Sequence, residues 1–141
     1  MSFGNRTAEA LLNSMFGKTS NFGALASAPT IHVGLSSTTP AEDGTNVTEP
    51  STGSYARVAT AAGDWNAATD ADPSVLDNLN EIAFPQATAD WLAGADLTHA
   101  VLYDAATGGN FLGAGALAVA KPVLNGDTAK IPAGDLDVTL D

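Results

Sequence analysis

The stretch from Leu97 to Leu117, LTHAVLYDAATGGNFLGAGAL, constrains the fold most, because it reads as two extended segments joined by a turn. Val101 and Tyr103 alternate with Ala100 and Leu102, Asp104 to Asn110 concentrates Asp, Thr, Gly and Asn, and the chain becomes apolar again at Phe111. This pattern predicts a β-hairpin. The same grammar recurs elsewhere: Ile31, Val33 and Leu35 alternate with His32, Gly34 and Ser36, a further strand is predicted over Tyr55 to Thr60, and Leu136, Val138 and Leu140 alternate with acidic or polar neighbours. Val75 to Phe84 fits helical and extended periods equally, and the extended bias that Pro85 imposes on Phe84 favours a strand. Seven to eight short strands separated by turn signals predict a mainly β fold, a two-sheet antiparallel sandwich of jelly-roll-like form.

One helix is predicted, near the start. Ala8, Leu11, Leu12, Met15 and Phe16 recur on one helical face, with Glu9, Asn13 and Ser14 elsewhere, Thr7 as N-cap and Gly17 as the stop. The apolar stripe must be buried, either against one end of its own domain or on a neighbouring subunit. Residues 18–29 lack periodicity and read as a linking arm, so the expected organisation is a helix and arm over 1–29 and a β-sandwich domain over 30–141. Ser37 to Ser54 is a long polar loop, and loops of that length in a compact domain are more often functional than idle. It is the expected contact loop.

At 141 residues the chain fits one domain that buries roughly two-thirds of its unfolded surface. Cysteine is absent, which excludes a disulfide framework and a thiolate nucleophile. Sixteen acids against five bases leave a net charge of −11, which repels phosphate backbones and anionic membranes, and the five cations are scattered. Neither a nucleic-acid partner nor a membrane is expected, and no secretory leader pattern opens the chain.

Candidate chemistry is thin. There is no Gly-x-Ser-x-Gly elbow, and His32 sits on the alternate face of a strand while His99 sits before a hairpin strand. Asp43 to Asn46 and Asp70 to Asp72 fall short of a calcium loop, and the Gly108-Gly109 and Gly113-Ala114-Gly115 runs lack the lysine of a phosphate loop. Trp65, Trp91, Tyr55 and Tyr103 suit either a sugar-binding groove or a core. No enzymatic activity, catalytic residue, cofactor or metal ligand is assigned.

Val33-Gly34-Leu35-Ser36 through Pro40, Gly53-Ser54-Tyr55-Ala56-Arg57 and above all Tyr103 to Leu112 carry a resemblance, which Gly126-Asp127 and Ile131 to Leu136 extend. Over Ile31 to Asp141 the chain resembles small virion structural proteins of tailed bacteriophages, labelled head decoration, cement or tail-fibre-like proteins. The resemblance implies a non-enzymatic virion role. The main expectation is a capsid decoration protein on the head surface, made in the host cytoplasm, bound to the major capsid protein and self-associated as a dimer or trimer. A tail or tail-fibre component that recognises the host surface is the alternative. The expected partner contacts are Leu11, Leu12, Met15 and Phe16 on the helix and Tyr55 with Arg57 after the loop, since Tyr and Arg are enriched among interface anchors.

Overall fold

The structure, a computed structural model, describes residues 5–18 and 28–140, so most of the predicted arm lies outside the described residues. It is mainly β and antiparallel with one α-helix, as the alternation predicts. The helix α1 (Asn5–Met15) is followed by β1 (Ile31–Ser36), β2 (Val58–Thr60), β3 (Ser74–Asp77), β4 (Ile82–Ala83), β5 (Leu97–Tyr103), β6 (Phe111–Lys121), β7 (Lys130–Ile131) and β8 (Asp137–Leu140). A four-stranded sheet runs in the order β2-β1-β5-β6, and two ribbons pair β3 with β8 and β4 with β7. In the sheet, Leu35 lies opposite Ala100 and Val33 opposite Leu102.

The core lies between one face of the sheet and the ribbons. Ile31, Val33, Leu35, Ala100 and Leu102 point there from the sheet, and Leu76, Ile82, Phe84, Trp91, Ile131 and Leu136 meet them from the other layer. The alternation of β1 thus has its expected cause: one set of side chains enters a common core and the other does not.

The helix is closed on its own chain. Leu12 and Phe16 are buried, and Phe16 meets Trp65 edge-on with ring centroids 4.5 Å apart. Gly17, at φ +70°, ends it: the Gly17 and Lys18 amides donate back to the Ser14 and Asn13 carbonyls, which satisfies two otherwise orphan acceptors. The N-terminal end differs from the expected one. Thr7 sits inside the helix rather than capping it, since α1 already includes Asn5. Asn13, placed by the sequence on the polar side, is buried because its carbonyl accepts the Ala68 amide at 2.8 Å. A buried amide left without such a partner would cost about 1–3 kcal/mol.

The segment from Val75 to Phe84 is two strands, β3 and β4, rather than one. Asn78 breaks it. Fully buried, its side chain donates to the Asn80 and Pro132 carbonyls and accepts the Leu136 amide, which ties the β3–β4 turn to the link between β7 and β8. The second strand of the sheet is also shorter than predicted: Tyr55 to Arg57 precede β2 and carry side-chain contacts instead of ladder bonds.

Candidate functional site

The long loop does not stand away from the fold. Ser37 accepts no idle geometry: its amide donates to the Thr48 carbonyl at 3.0 Å, and the Ser36 hydroxyl accepts the Thr48 amide. At the tip, the Asp43 carboxylate accepts both the amide and the hydroxyl of Thr45 at 2.9 and 2.7 Å. These bonds hold the Asp43 pKa below its ordinary value.

Glu49, Tyr55 and Arg57 then form one cluster, with Glu49 and the Tyr55 hydroxyl meeting at Gly34 while the Tyr55 ring packs against the core. The Tyr55 hydroxyl donates to Glu49 Oε1 at 2.6 Å and accepts the Leu35 amide at 2.9 Å, closing the β1 edge where β2 stops. Arg57 grips the Glu49 carboxylate through Nε and Nη2, a two-pronged pairing that its planar fork suits. Its Nη1 donates to the carbonyls of Ala105 and Gly108, at 3.1 and 2.8 Å, and its charge lies 3.5 Å above the Tyr103 ring centre. One side chain therefore joins the 37–57 loop to the β5–β6 turn.

The cluster sits in a partly dry setting, with the Arg57 and Glu49 side chains only 9% and 18% exposed. Burial pushes the Tyr55 phenol far above its ordinary pKa, and the hydrogen bond to Glu49 pushes further in the same direction. For Arg57, burial works against the charge, and the Glu49 hydrogen bonds and carboxylate outweigh it, so the guanidinium is held above its ordinary value. Gly34 makes the approach possible: a Cβ there would collide with Glu49 Oε1, and would lie 2.9 Å from the Tyr55 hydroxyl.

Tyr55 and Arg57 are bound within the chain, Leu12 and Phe16 are buried, Leu11 is half-buried, and Met15 packs against the core. Trp65 and Trp91 are fully buried, with indole nitrogens donating to Thr60 Oγ1 and the Gly53 carbonyl, so neither lines a sugar groove. His32 and His99 both lie in strands of the sheet, His99 within β5 rather than before it. Among the described residues no group of three or more His, Cys, Asp or Glu side chains could hold a metal ion. No helix among them is long and apolar enough to cross a membrane.

The outward surface that the sequence reading missed is β6. It is the last strand of the sheet, and from Ala114 to Lys121 every residue except Leu117 is exposed, with Val119 at 62%. Between Ala116 and Lys121 it bulges away from its partner and rejoins it: β6 advances five positions to Lys121, opposite Leu97, while β5 advances two, from His99 to Leu97. The bulged stretch, with Val123 and Ile131 across from it, bounds an open groove of about 500 Å³. The hint lay in the residues themselves: Gly113, Ala114, Gly115 and Ala116 have too little side chain to fill a core.

Residues 2–139 match the sequence family described as podophage GP4 fiber I protein gp80. The chain belongs to this family. It is a structural component of a bacteriophage virion, as the resemblance implied, and the match also covers the helix that the resemblance left out. Comparison with curated proteins finds no match. The Glu49–Tyr55–Arg57 cluster is a structural clamp between the 37–57 loop and the β5–β6 turn.

Proposed function

We propose that this protein is a building unit of a phage tail fibre, the alternative of the two virion roles considered from the sequence. The observation that carries the reading is the extent of the family match: residues 2–139, nearly the whole chain, align with a family described as a fibre protein. The internal fastening of the 37–57 loop and of α1 supports it. With the arm, which lies mostly outside the described residues, both were the features expected to bridge capsid subunits in a head-decoration role, and both have anchoring side chains engaged within the chain.

A fibre unit serves by holding its shape under load, and the Arg57 clamp suits that service because it ties segments 48 residues apart or more, Arg57 to Ala105 and Gly108. Copy number and position test the proposal. Quantitative densitometry of purified particles is expected to show far fewer copies than of the major capsid protein, and labelled antibody is expected to decorate the tail in electron micrographs. Near-equal copy number with the capsid protein and label spread over the head would overturn the fibre reading in favour of capsid decoration.

A further inference from the structure

The outer edge of β6, which no strand among the described residues pairs with, presents backbone donors and acceptors that another strand can satisfy. The sheet has two edges of unequal length, β2 with three residues and β6 with eleven, so the long edge finds its match in length only in another β6. We propose that β6 is the self-association strand of this protein: two copies pair β6 with β6, antiparallel, about a two-fold axis at Ala116.

Shape and charge both select a second copy as the occupant. Ala116 is the midpoint of Phe111–Lys121, so a two-fold there overlaps the whole strand and sets Leu117 opposite Gly115 of the second copy and Val119 opposite its Gly113. These glycines have room: a Cβ at either would meet nothing within 4 Å. Large side chains thus come to lie beside empty space, twice over, and the half-buried Leu117 and exposed Val119 gain cover.

Net charge sets the second condition. Copies carrying −11 each repel, and they can approach closely only where acids are sparse. Residues 105–126 contain no acid, and β6 ends in an exposed lysine that makes no ion pair with the described residues. In the proposed register Lys121 lies opposite Phe111 of the second copy, next to Asn110, whose amide and side chain hold the Asp104 carboxylate at 2.6 and 2.7 Å. Each copy therefore brings a cation to a fixed carboxylate of the other.

The chain lends itself to a direct test, because its 141 residues include no cysteine. Residues directly opposite in an antiparallel pair have Cα atoms about 4.5–5.5 Å apart, within disulfide reach. Under oxidised glutathione, Ala116→Cys alone is expected to form a covalent dimer. Ala114→Cys alone and Ala118→Cys alone are expected not to, and an equal mixture of those two is expected to cross-link. Sedimentation velocity of the unmodified protein is expected to show a dimer that dissociates on dilution, and Lys121→Glu is expected to weaken it about tenfold. A monomer at every concentration overturns the proposal, as do equal cross-linking of all three cysteine variants and a dimer indifferent to Lys121→Glu. The position of the protein on the particle has no bearing on these outcomes, so this inference and the fibre reading fail separately.

Discussion

Residues 37–57 are mostly polar and about half exposed, yet Glu49, Tyr55 and Arg57 within them are drawn partly under cover, whereas β6 is nearly all apolar and faces solvent along most of its length. The difference teaches that polar side chains can be covered when they satisfy one another, as Glu49, Tyr55, Arg57 and the Leu35 amide do. An apolar segment of Gly and Ala gains little by going inward, since burial is rewarded by the apolar area removed from water. Tyr55 marks the boundary between the two behaviours: its ring packs edge-on against Trp91, 5.1 Å away, while its hydroxyl serves the polar cluster.

The largest effect that could break this contrast is at Trp91. Trp91→Ala removes a fully buried ring and the donor that holds the Gly53 carbonyl, and it is expected to cost about 3–5 kcal/mol in denaturant unfolding. Hydrogen exchange in residues 49–57 should rise with it. If the loop amides keep their protection, the loop is held without its aromatic anchor.

Arg57→Ala comes next. It leaves the Glu49 carboxylate little exposed and without its cation, and it frees the Ala105 and Gly108 carbonyls, so a loss of about 3 kcal/mol is expected by chemical denaturation. A loss under half that size would mean that the clamp is a surface pair of the weak kind. Tyr55→Phe keeps the ring and removes only the hydroxyl. The Leu35 amide and Glu49 each lose a partner, and about 1–2 kcal/mol should be lost.

On the other side of the comparison, Ala118→Gln in β6 should change monomer stability by less than about 0.5 kcal/mol, because the side chain is exposed. A larger loss at protein concentrations too low for self-association would show that β6 is covered within its own chain. The smallest effect is at Asp43. Its folded pKa is depressed below the ordinary 3.8, so its contribution is fully present at neutral pH and disappears as pH falls through the folded value. A carboxyl carbon titration by NMR should place its midpoint below 3.8, and Thr45→Val should move that midpoint upward. An unmoved midpoint would show that Thr45 does not fasten the loop tip.

The sequence by itself determined the features that depend on chain neighbours. Alternation over Ile31 to Leu35 and over Leu136 to Leu140, the turn residues of the β5–β6 hairpin, and the Gly17 helix stop were legible because strand faces, turns and caps follow from spacings of a few residues. Only the tertiary structure decided which polar side chains go inside. Asn13 meets Ala68 across 55 positions, Asn78 meets Leu136 across 58, and Arg57 reaches Gly108 across 51. No local period encodes those distances, since hydrogen-bond partners so far apart exist only after the sheet and ribbons have closed on one another. The exposure of β6 has the same origin: whether a strand is an edge depends on what else the fold brings beside it, and here no strand among the described residues pairs with its outer side.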